Sequence, residues 1–451
     1  MGIHMRVYLE FLGCRLNEAE LSTWKRQFLA YNNKPKTTVQ IVQNPEDADI
    51  MTLNTCAVTG EASKKSRRRI RYLQKSNPQA KTVVTGCYAT LEPQKLSENL
   101  EVDLVVPNKE KNLLPKKIMD KWGSNGAMPY SATLPEAQPA LAHSRTRAFI
   151  KVQDGCRNKC SFCIVTKARG EERSRSIREI IEEINYLHEV GYQEVVLTGV
   201  HLGGYGSDLN SSLFELVQTV LKNTSVPRIR LGSLEPWDLE EHFFTLWENN
   251  RLCTHLHLPL QSGSNTVLKR MIRRCTVENY KKLVEQAKKI SPLFHISTDL
   301  IIGFPGETEG EFENTLETIR EIPFGDMHLF TYSPREGTSA MRMRNHVPKE
   351  IKRRRHKEIK KMADQKYCDF LRLFDNQVQD VLWERDAEII PISSENFQTD
   401  SNLFLWKGYT KSYVKVQSQS KKILFNQITP TKFSCLEDGL HGNLLERLAE
   451  L

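Results

Sequence analysis

No run in this sequence approaches the roughly 18 to 20 apolar residues that cross a bilayer, and its first residues lack the charged-then-apolar order of a secretory signal. A membrane span is therefore not expected, and the cytoplasm is the expected compartment. Cysteine is sparse and scattered: ten in 451 residues, too few for the disulfide framework of a small secreted domain. Where such cysteines group in a reducing compartment, they mean metal or redox chemistry. Internal repeats, long low-complexity tracts and collagen or coiled-coil bias are also missing. What remains is ordinary for a folded protein: apolar residues make up 39% and charged residues 26%, which excludes wholesale disorder. The length suits roughly three domains. Lys and Arg outnumber Asp and Glu by 64 to 55, an excess that points to a polyanion only where the cations cluster.

From Met5 to about residue 120 short apolar runs alternate with helical periods. The residues ahead of Met5 are set aside, because Met5 opens the first clean strand pattern. Residues 6–12, 49–54 and 82–85 read as strands, and 17–31 and 61–75 as helices. Such alternation predicts a parallel sheet whose ligands gather beyond the carboxyl ends of its strands. Cys14, Cys56 and Cys87 each follow one of these strands, in F-L-G-C, L-N-T-C and V-T-G-C, so one sheet edge is expected to collect all three.

Residues 123–147 are rich in Ser, Ala and Pro and read as a linker. Beyond it, strands at 148–152, 194–198, 228–231, 255–258, 295–302 and 326–332 alternate with helices, and about six βα units make a partial or full α/β barrel. Ser176 with Glu179 three residues on marks one helix start. A basic helix over 348–373 leads to strands at 378–383, 387–392, 403–407 and 412–416 without helices between them, hence a small β-barrel. The fold class is α/β throughout the first two parts, and the expected domains are 5–122, 148–374 and 375–451.

The strongest local signal is Cys156-Arg-Asn-Lys-Cys160-Ser-Phe-Cys163, directly after the first barrel strand. Three thiolates can hold three irons of a 4Fe-4S cluster and leave the fourth open, since soft sulfur donors favour iron–sulfur or zinc over hard cations. Zinc wants a fourth ligand, and none lies at a suitable local distance.

This spacing resembles the radical S-adenosylmethionine superfamily, and KVQDGCRNKCSFCIVTKARGEERSR over residues 151–175 is similar to its methylthiotransferase family. Cys14, Cys56 and Cys87 match that family's amino-terminal trio, and G-Y-T-K-S-Y-V-K-V over 408–416 resembles the TRAM RNA-binding module. K-V-Q-D-G-C, L-T-G-V-H-L-G-G-Y-G and P-L-Q-S-G-S look most like the MtaB-type enzymes, which act on N(6)-threonylcarbamoyladenosine in tRNA. Thr166 departs from the pattern, where C-I-V is usually followed by proline. The resemblance implies two 4Fe-4S clusters: one on Cys156, Cys160 and Cys163 that chelates S-adenosylmethionine, and an auxiliary one on Cys14, Cys56 and Cys87 that supplies sulfur. It also implies an external electron donor.

Loops after barrel strands are where such a barrel keeps its ligands. Gly199 and His201 in T-G-V-H, Glu235 in S-L-E-P, Gln261 in P-L-Q-S, Asp299 in an otherwise apolar strand, and Gly303 in G-F-P-G are the candidates for binding S-adenosylmethionine. Ordinary turn glycines and loop-stabilising polar residues are the bland reading of the same positions. For RNA the candidates are Lys64, Lys65, Arg67 and Arg68 on the helix after Cys56, Arg353 and Arg354 on the basic helix, and Trp406, Lys411 and Lys415 on the terminal barrel. Each cluster alone is a solvated face; together, cations for phosphates and aromatic faces for splayed bases fit a tRNA anticodon loop. The expected function is conversion of N(6)-threonylcarbamoyladenosine beside the anticodon to its 2-methylthio derivative. The rivals are a sibling acting on isopentenyladenosine or a ribosomal-protein aspartate, and a non-catalytic RNA-binding metalloprotein. Cys253, Cys275, Cys368 and Cys435 lack a grouping and read as structural.

Overall fold

In the computed structural model, residues 3–123, 146–385, 387–390 and 403–445 are described. The linker reading over 123–147 thus lies outside the described residues at 124–145, as do 391–392 of one strand reading. The first sheet contains β1 (Ile3–Phe11), β2 (Thr37–Val42), β3 (Ile50–Thr55), β4 (Lys81–Gly86) and β5 (Leu104–Val106), all parallel in the order β2-β1-β3-β4-β5. Two of these strands were not legible in the pattern: β2 is an edge strand and β5 has only three residues. β1 also begins before Met5, with Ile3 and His4 paired to Thr37 and Thr38. Helices cover both faces, so β3 is buried from end to end, including Thr52 and Asn54. Asn54 Nδ2 donates to Glu20 Oε2 at 2.9 Å, while its buried Oδ1 has no partner among the described residues.

The strand order places a topological switch between β1 and β3, since the chain leaves β1 toward β2 and crosses back to β3. That is where a doubly wound sheet opens a crevice at its carboxyl edge. Cys14 and Cys56 stand at the two sides of this crevice, and Cys87 follows the adjacent β4.

The central part runs β6 (Arg147–Lys151), a short hairpin of β7 (Gln153–Asp154) and β8 (Arg173–Ser174), then β9 (Glu194–Thr198), β10 (Arg228–Leu231), β11 (His255–His257), β12 (His295–Ile302) and β13 (Asp326–Thr331). β6, β9 and β10 pair in parallel, as do β11, β12 and β13. Single parallel bridges, Ile229 to Leu252 and Ser233 to His257, join the two triplets. The result is a six-stranded partial barrel in chain order, packed on its outside by helices such as Ile177–Glu189, whose Ile180, Ile184 and Leu187 enter the main core.

The basic helix spans Lys349–Arg372 and leads into β14 (Val378–Trp383), β15 (Glu388–Ile390), β16 (Leu403–Tyr409), β17 (Lys415–Ser420), β18 (Ile428–Leu436) and β19 (Gly439–Leu444). Their order is β14-β18-β19-β17-β16-β15, and β14 also pairs with β16, which closes a small barrel. The sequence pattern hides β18 and β19 because Pro430 interrupts one and Gly439 and Gly442 the other, both residue types that argue against a strand. This barrel docks on the amino-terminal ends of the central strands. Arg228 donates to the carbonyls of Tyr409 (2.9 Å) and Asp380 (2.7 Å), Arg230 to that of Lys411 (3.0 Å), and His295 Nδ1 to that of Ser412 (2.8 Å).

Candidate active site

Three of the grouped cysteines follow a glycine at the end of a strand, and each glycine has a left-handed backbone: Gly13 at φ +97°, Gly86 at +96° and Gly155 at +79°. Only glycine turns the chain there without strain. The space is equally restrictive. A Cβ on Gly13 would stand 2.7 Å from Cys56 Sγ, and one on Gly155 would stand 1.8 Å from the Glu171 carbonyl oxygen. These turns aim the thiols inward, and Cys14, Cys56, Cys87, Cys156, Cys160 and Cys163 all line one cavity of about 820 Å³. Gly13→Ala should therefore displace Cys56, and iron bound per chain should fall toward about four after reconstitution, measured by metal analysis.

Burial pushes the thiols up, Cys156 to about 11 and Cys163 to about 12, with Cys56 also raised. Free, they are neutral near pH 7; thiolates form here when a cation binds them, so loading releases protons. A tetrahedral zinc with bonds of about 2.3 Å would draw its sulfurs to within about 3.8 Å of one another. Among the described residues neither trio has its sulfurs within 4.8 Å of one another. Soft donors at a wider spread fit a cage of several irons.

A buried ionic cluster locks the first sheet to the barrel beneath these thiols. Arg169, 3% exposed, donates to Glu20 Oε1 at 2.9 Å, Asp154 Oδ1 at 3.0 Å and Asn17 Oδ1 at 2.6 Å. Lys111 and Lys151 contact the same two carboxylates. With Arg173 3.9 Å from Asp154, four cations meet two carboxylates there, and Arg169, which itself lines the cavity, places excess charge toward the early cysteines.

Of the other candidates, Gly199, Glu235, Gln261 and Asp299 line the cavity, whereas His201 and Gly303 are not among its lining residues. Gly199 is tight against Gln153, whose Oε1 would meet a Cβ at 2.9 Å. Glu235 Oε2 pairs with Arg273 Nη2 at 2.6 Å, and Arg273 Nη1 lies 3.9 Å from Cys160 Sγ. Gln261 sits in the left-handed region at φ +72°, a strained conformation for a side chain of its size. His201 is 3% exposed between Glu172 Oε1 and Asp238 Oδ2 (2.7 Å to the latter). Burial works against its charge, but the two carboxylates outweigh it and hold its pKa up, so it ties loops together behind the site. Gly303, at φ +72°, gives its N–H to Glu307 and faces Lys352; it shapes the turn.

The pattern missed His257, His328 and Arg273, all on the cavity wall. His255 and His257, two residues apart on β11, carried the alternation that could have found them. Asp299 Oδ1 stands 3.3 Å from both His257 Nε2 and His328 Nδ1, and His328 Nε2 is 3.4 Å from Asp326. Hydrogen bonds to Asp299 and Asp326 raise His328 to about 10, and although burial opposes it, His257 and His328 hold Asp299 at about 2. A raised base contributes stability below its ordinary 6.5 and loses it as pH climbs through about 10. In a proton NMR titration His328 should stay cationic well above 6.5, and Asp299→Asn should bring its midpoint down.

The RNA candidates divide. Lys64, Lys65, Arg68 and Arg353 are exposed; Arg67 is half-buried over the Tyr88 ring. Arg354 is exposed but paired with Glu309 at 2.7 Å. Lys411 donates to the Asn250 carbonyl at 2.7 Å, which fixes it at the domain contact. Trp406 corrects the reading: it is 5% exposed in the core of the terminal barrel, against Phe404, and offers no face to a base. The tyrosines that do face the cavity are Tyr367, Tyr409 and Tyr413. Outside the two trios, Cys253 and Cys275 are buried and Cys368 is exposed. Among the described residues no helix is long and apolar enough to cross a membrane.

Two family models match, one described as the radical SAM superfamily over residues 150–319 and one as "Uncharacterized protein family UPF0004" over residues 6–107. Threonylcarbamoyladenosine tRNA methylthiotransferase MtaB of Bacillus subtilis is 35% identical over 93% of this chain and 92% of its own. The enzyme of the same name from Thermotoga maritima is 38% identical over 79% and 81%. The tRNA-2-methylthio-N(6)-dimethylallyladenosine synthase of Bacillus licheniformis is 31% identical over 90% and 82%. Among solved structures, the radical S-adenosylmethionine methyltransferase TsrM from Kitasatospora setae superposes with a TM-score of 0.54 at 12% identity, covering 75% of this chain and 77% of that one. That likeness speaks for the fold alone. The matched relatives cover 79–93% of the chain at 31–38% identity; this chain belongs to the radical S-adenosylmethionine methylthiotransferase family.

Proposed function

We propose that this enzyme replaces the C2 hydrogen of N(6)-threonylcarbamoyladenosine, beside a tRNA anticodon, with a methylthio group. The observation that carries this reading is the sharing of a single cavity by both cysteine trios. Family membership brings one 4Fe-4S cluster and S-adenosylmethionine; Cys156, Cys160 and Cys163 are the residues that would hold that cluster. Cys14, Cys56 and Cys87 would hold a second. When bound, these groups supply a hydrogen-abstracting radical and a sulfur atom, chemistry that acid–base side chains do not provide.

The chain's own residues bind, orient and exclude water. Arg273 is held by Glu235 beside Cys160, and Arg169 sets a positive charge beside the early thiols. Phe162, edge-on to Phe304 at 6.5 Å between ring centroids, gives the wall near Cys163 an apolar surface. Gly199, Gln261 and Asp299 would contact S-adenosylmethionine, while His201 and Gly303 would position the loops that do so. Misplacing any of these uncouples radical formation from product, because the reaction depends on orientation. We assign residues 5–122 to the auxiliary-cluster domain, 148–374 to the radical core and 375–451 to a TRAM-like RNA-binding domain. Lys64, Lys65, Arg67, Arg68, Arg353 and Lys415 would meet the anticodon stem–loop. An external electron donor and a cytoplasmic setting complete the proposal.

The test is anaerobic reconstitution with iron and sulfide, then reaction with reductant, S-adenosylmethionine and tRNA, followed by mass spectrometry of the nucleosides. A methylthio adduct of threonylcarbamoyladenosine is the expected product. An adduct on dimethylallyladenosine alone would reassign the substrate, and tRNA binding with no iron would leave a binding protein.

A further inference from the structure

The cavity continues past the cysteines. Its opposite end lies at the amino-terminal ends of the central strands, where Arg147, Arg230 and His255 face Tyr409, Tyr413 and Lys415 of the terminal barrel. This end is cationic. Arg147 pairs with Glu384, and Arg228 and Arg230 both pair with Glu194, so three guanidiniums meet two carboxylates. Lys415, exposed at the mouth, has no ion-pair partner within 4.0 Å among the described residues and adds a further charge.

The aromatic side is held under strain. Tyr413 has φ +60°, unusual for a bulky residue, and its ring stacks on Tyr409 with centroids 5.1 Å apart. Arg147 stands 4.5 Å from the Tyr409 ring centre and Arg230 4.7 Å from that of Tyr413. Among these groups His255 is 7% exposed, with Nε2 on Ser297 Oγ at 3.1 Å, and its buried Nδ1 has no partner. Whichever nitrogen carries the proton, Nδ1 is left with an unmade hydrogen bond, which a buried polar atom does not normally tolerate.

A surplus of positive charge and one spare hydrogen-bonding atom describe a ligand with an anion and a polar group close together. A threonylcarbamoyl substituent has a carboxylate and a hydroxyl on adjacent carbons; a dimethylallyl substituent has neither. The wall formed by β12 and β13 is the poorer host, because Asp299 and Asp326, the first residue of β13, flank His328 and repel an anion. We infer that this end of the cavity is the subsite for the amino-acid part of the N(6) substituent, with Arg147 and Lys415 facing its carboxylate and His255 Nδ1 taking its hydroxyl. The inference rests on the substrate proposed above. It gives the terminal barrel a second task, since Lys415 and the two tyrosines become a wall of the substrate pocket.

The experiment measures dissociation constants of the reconstituted enzyme for three anticodon stem–loops of one sequence, by fluorescence anisotropy at fixed salt. The target adenosine is unmodified, dimethylallylated or threonylcarbamoylated. The wild-type chain should prefer the last by about tenfold or more, the scale of one charge-assisted contact, and the methyl ester of the threonyl carboxylate should lose that preference. Lys415→Ala, at an exposed site that leaves the core intact, should erase a severalfold part of it, and His255→Phe a further part. If Lys415→Ala weakens all three RNAs equally, Lys415 meets only phosphate and the subsite is overturned. An ester that binds as well as the acid overturns it too. A wild-type chain with no preference sinks the substrate reading and the subsite together, whereas a preference that survives both substitutions sinks the subsite alone.

Discussion

Cys160→Ala should reduce the formation of 5′-deoxyadenosine from S-adenosylmethionine to background, while Cys56→Ala should leave it readily detectable and abolish only the methylthio product. The two cysteines share a cavity but belong to different trios, one after β6 and one after β3. Cys160 is the middle ligand of the C-x-x-x-C-x-x-C loop, and a cage held by three thiolates does not keep its geometry on two. Cys56 stands at the crevice between β1 and β3, against Gly13, and its loss leaves the later loop intact. Liquid chromatography of 5′-deoxyadenosine together with nucleoside mass spectrometry separates the outcomes. Cys368→Ala, at an exposed residue outside both trios, is the control and should change neither. Undiminished 5′-deoxyadenosine from Cys160→Ala would refute the assignment of the radical cluster.

Arg169→Met should be the most destabilising single change at the junction of the first sheet and the barrel, by about 3–5 kcal/mol, the usual cost of breaking a buried ion pair from one side. The guanidinium, 2% exposed as a side chain, bridges Glu20 on the helix after Cys14 to Asp154 just before Cys156. Without it two buried carboxylates keep Lys111 and Lys151, with Arg173 at 3.9 Å from Asp154 alone. The thermal unfolding midpoint should drop and iron retention on the early trio should fall with it, while Arg169→Lys should recover part of both. The same cluster makes the junction acid-labile. Burial alone would raise Glu20, but Arg169, Lys111 and Lys151 hold it down at about 2. A depressed acid contributes stability above its ordinary 4.5 and loses it as pH falls through about 2, so wild-type stability should decline in that window and the decline should be shallower in Arg169→Met. An unchanged midpoint in Arg169→Met would show that the cluster does not hold the junction.

The legible parts of this molecule were those that obey a local rule. Alternating apolar runs gave the parallel strands, and cysteines at strand ends gave the sheet edge where they gather. The switch between β1 and β3 could not be read, because β2 is an edge strand whose polar Thr37, Thr38 and Gln40 blur its alternation. Composition misled at Trp406: an aromatic among lysines looks like a stacking surface, yet strand alternation turns it into the core while its neighbours face out. His201 is likewise turned inward, away from the cavity wall. Its carboxylate partners, Glu172 and Asp238, lie 29 and 37 residues away, a pairing that only the folded loops create. The cationic end of the cavity was illegible for the same reason, since Arg147, Arg230 and Lys415 come from strands far apart in the chain and meet only when the terminal barrel docks.

The central claim is that the six cysteines make two separate cages opening on one chamber. Iron and acid-labile sulfide, counted per chain after anaerobic reconstitution, test it most directly when wild type is compared with two triple variants, one lacking Cys14, Cys56 and Cys87 and the other Cys156, Cys160 and Cys163. Two four-iron cages predict about eight irons in the wild type and about four in each variant. A wild-type content of about four that only one of the triple variants abolishes, or one zinc and no iron, would contradict the claim.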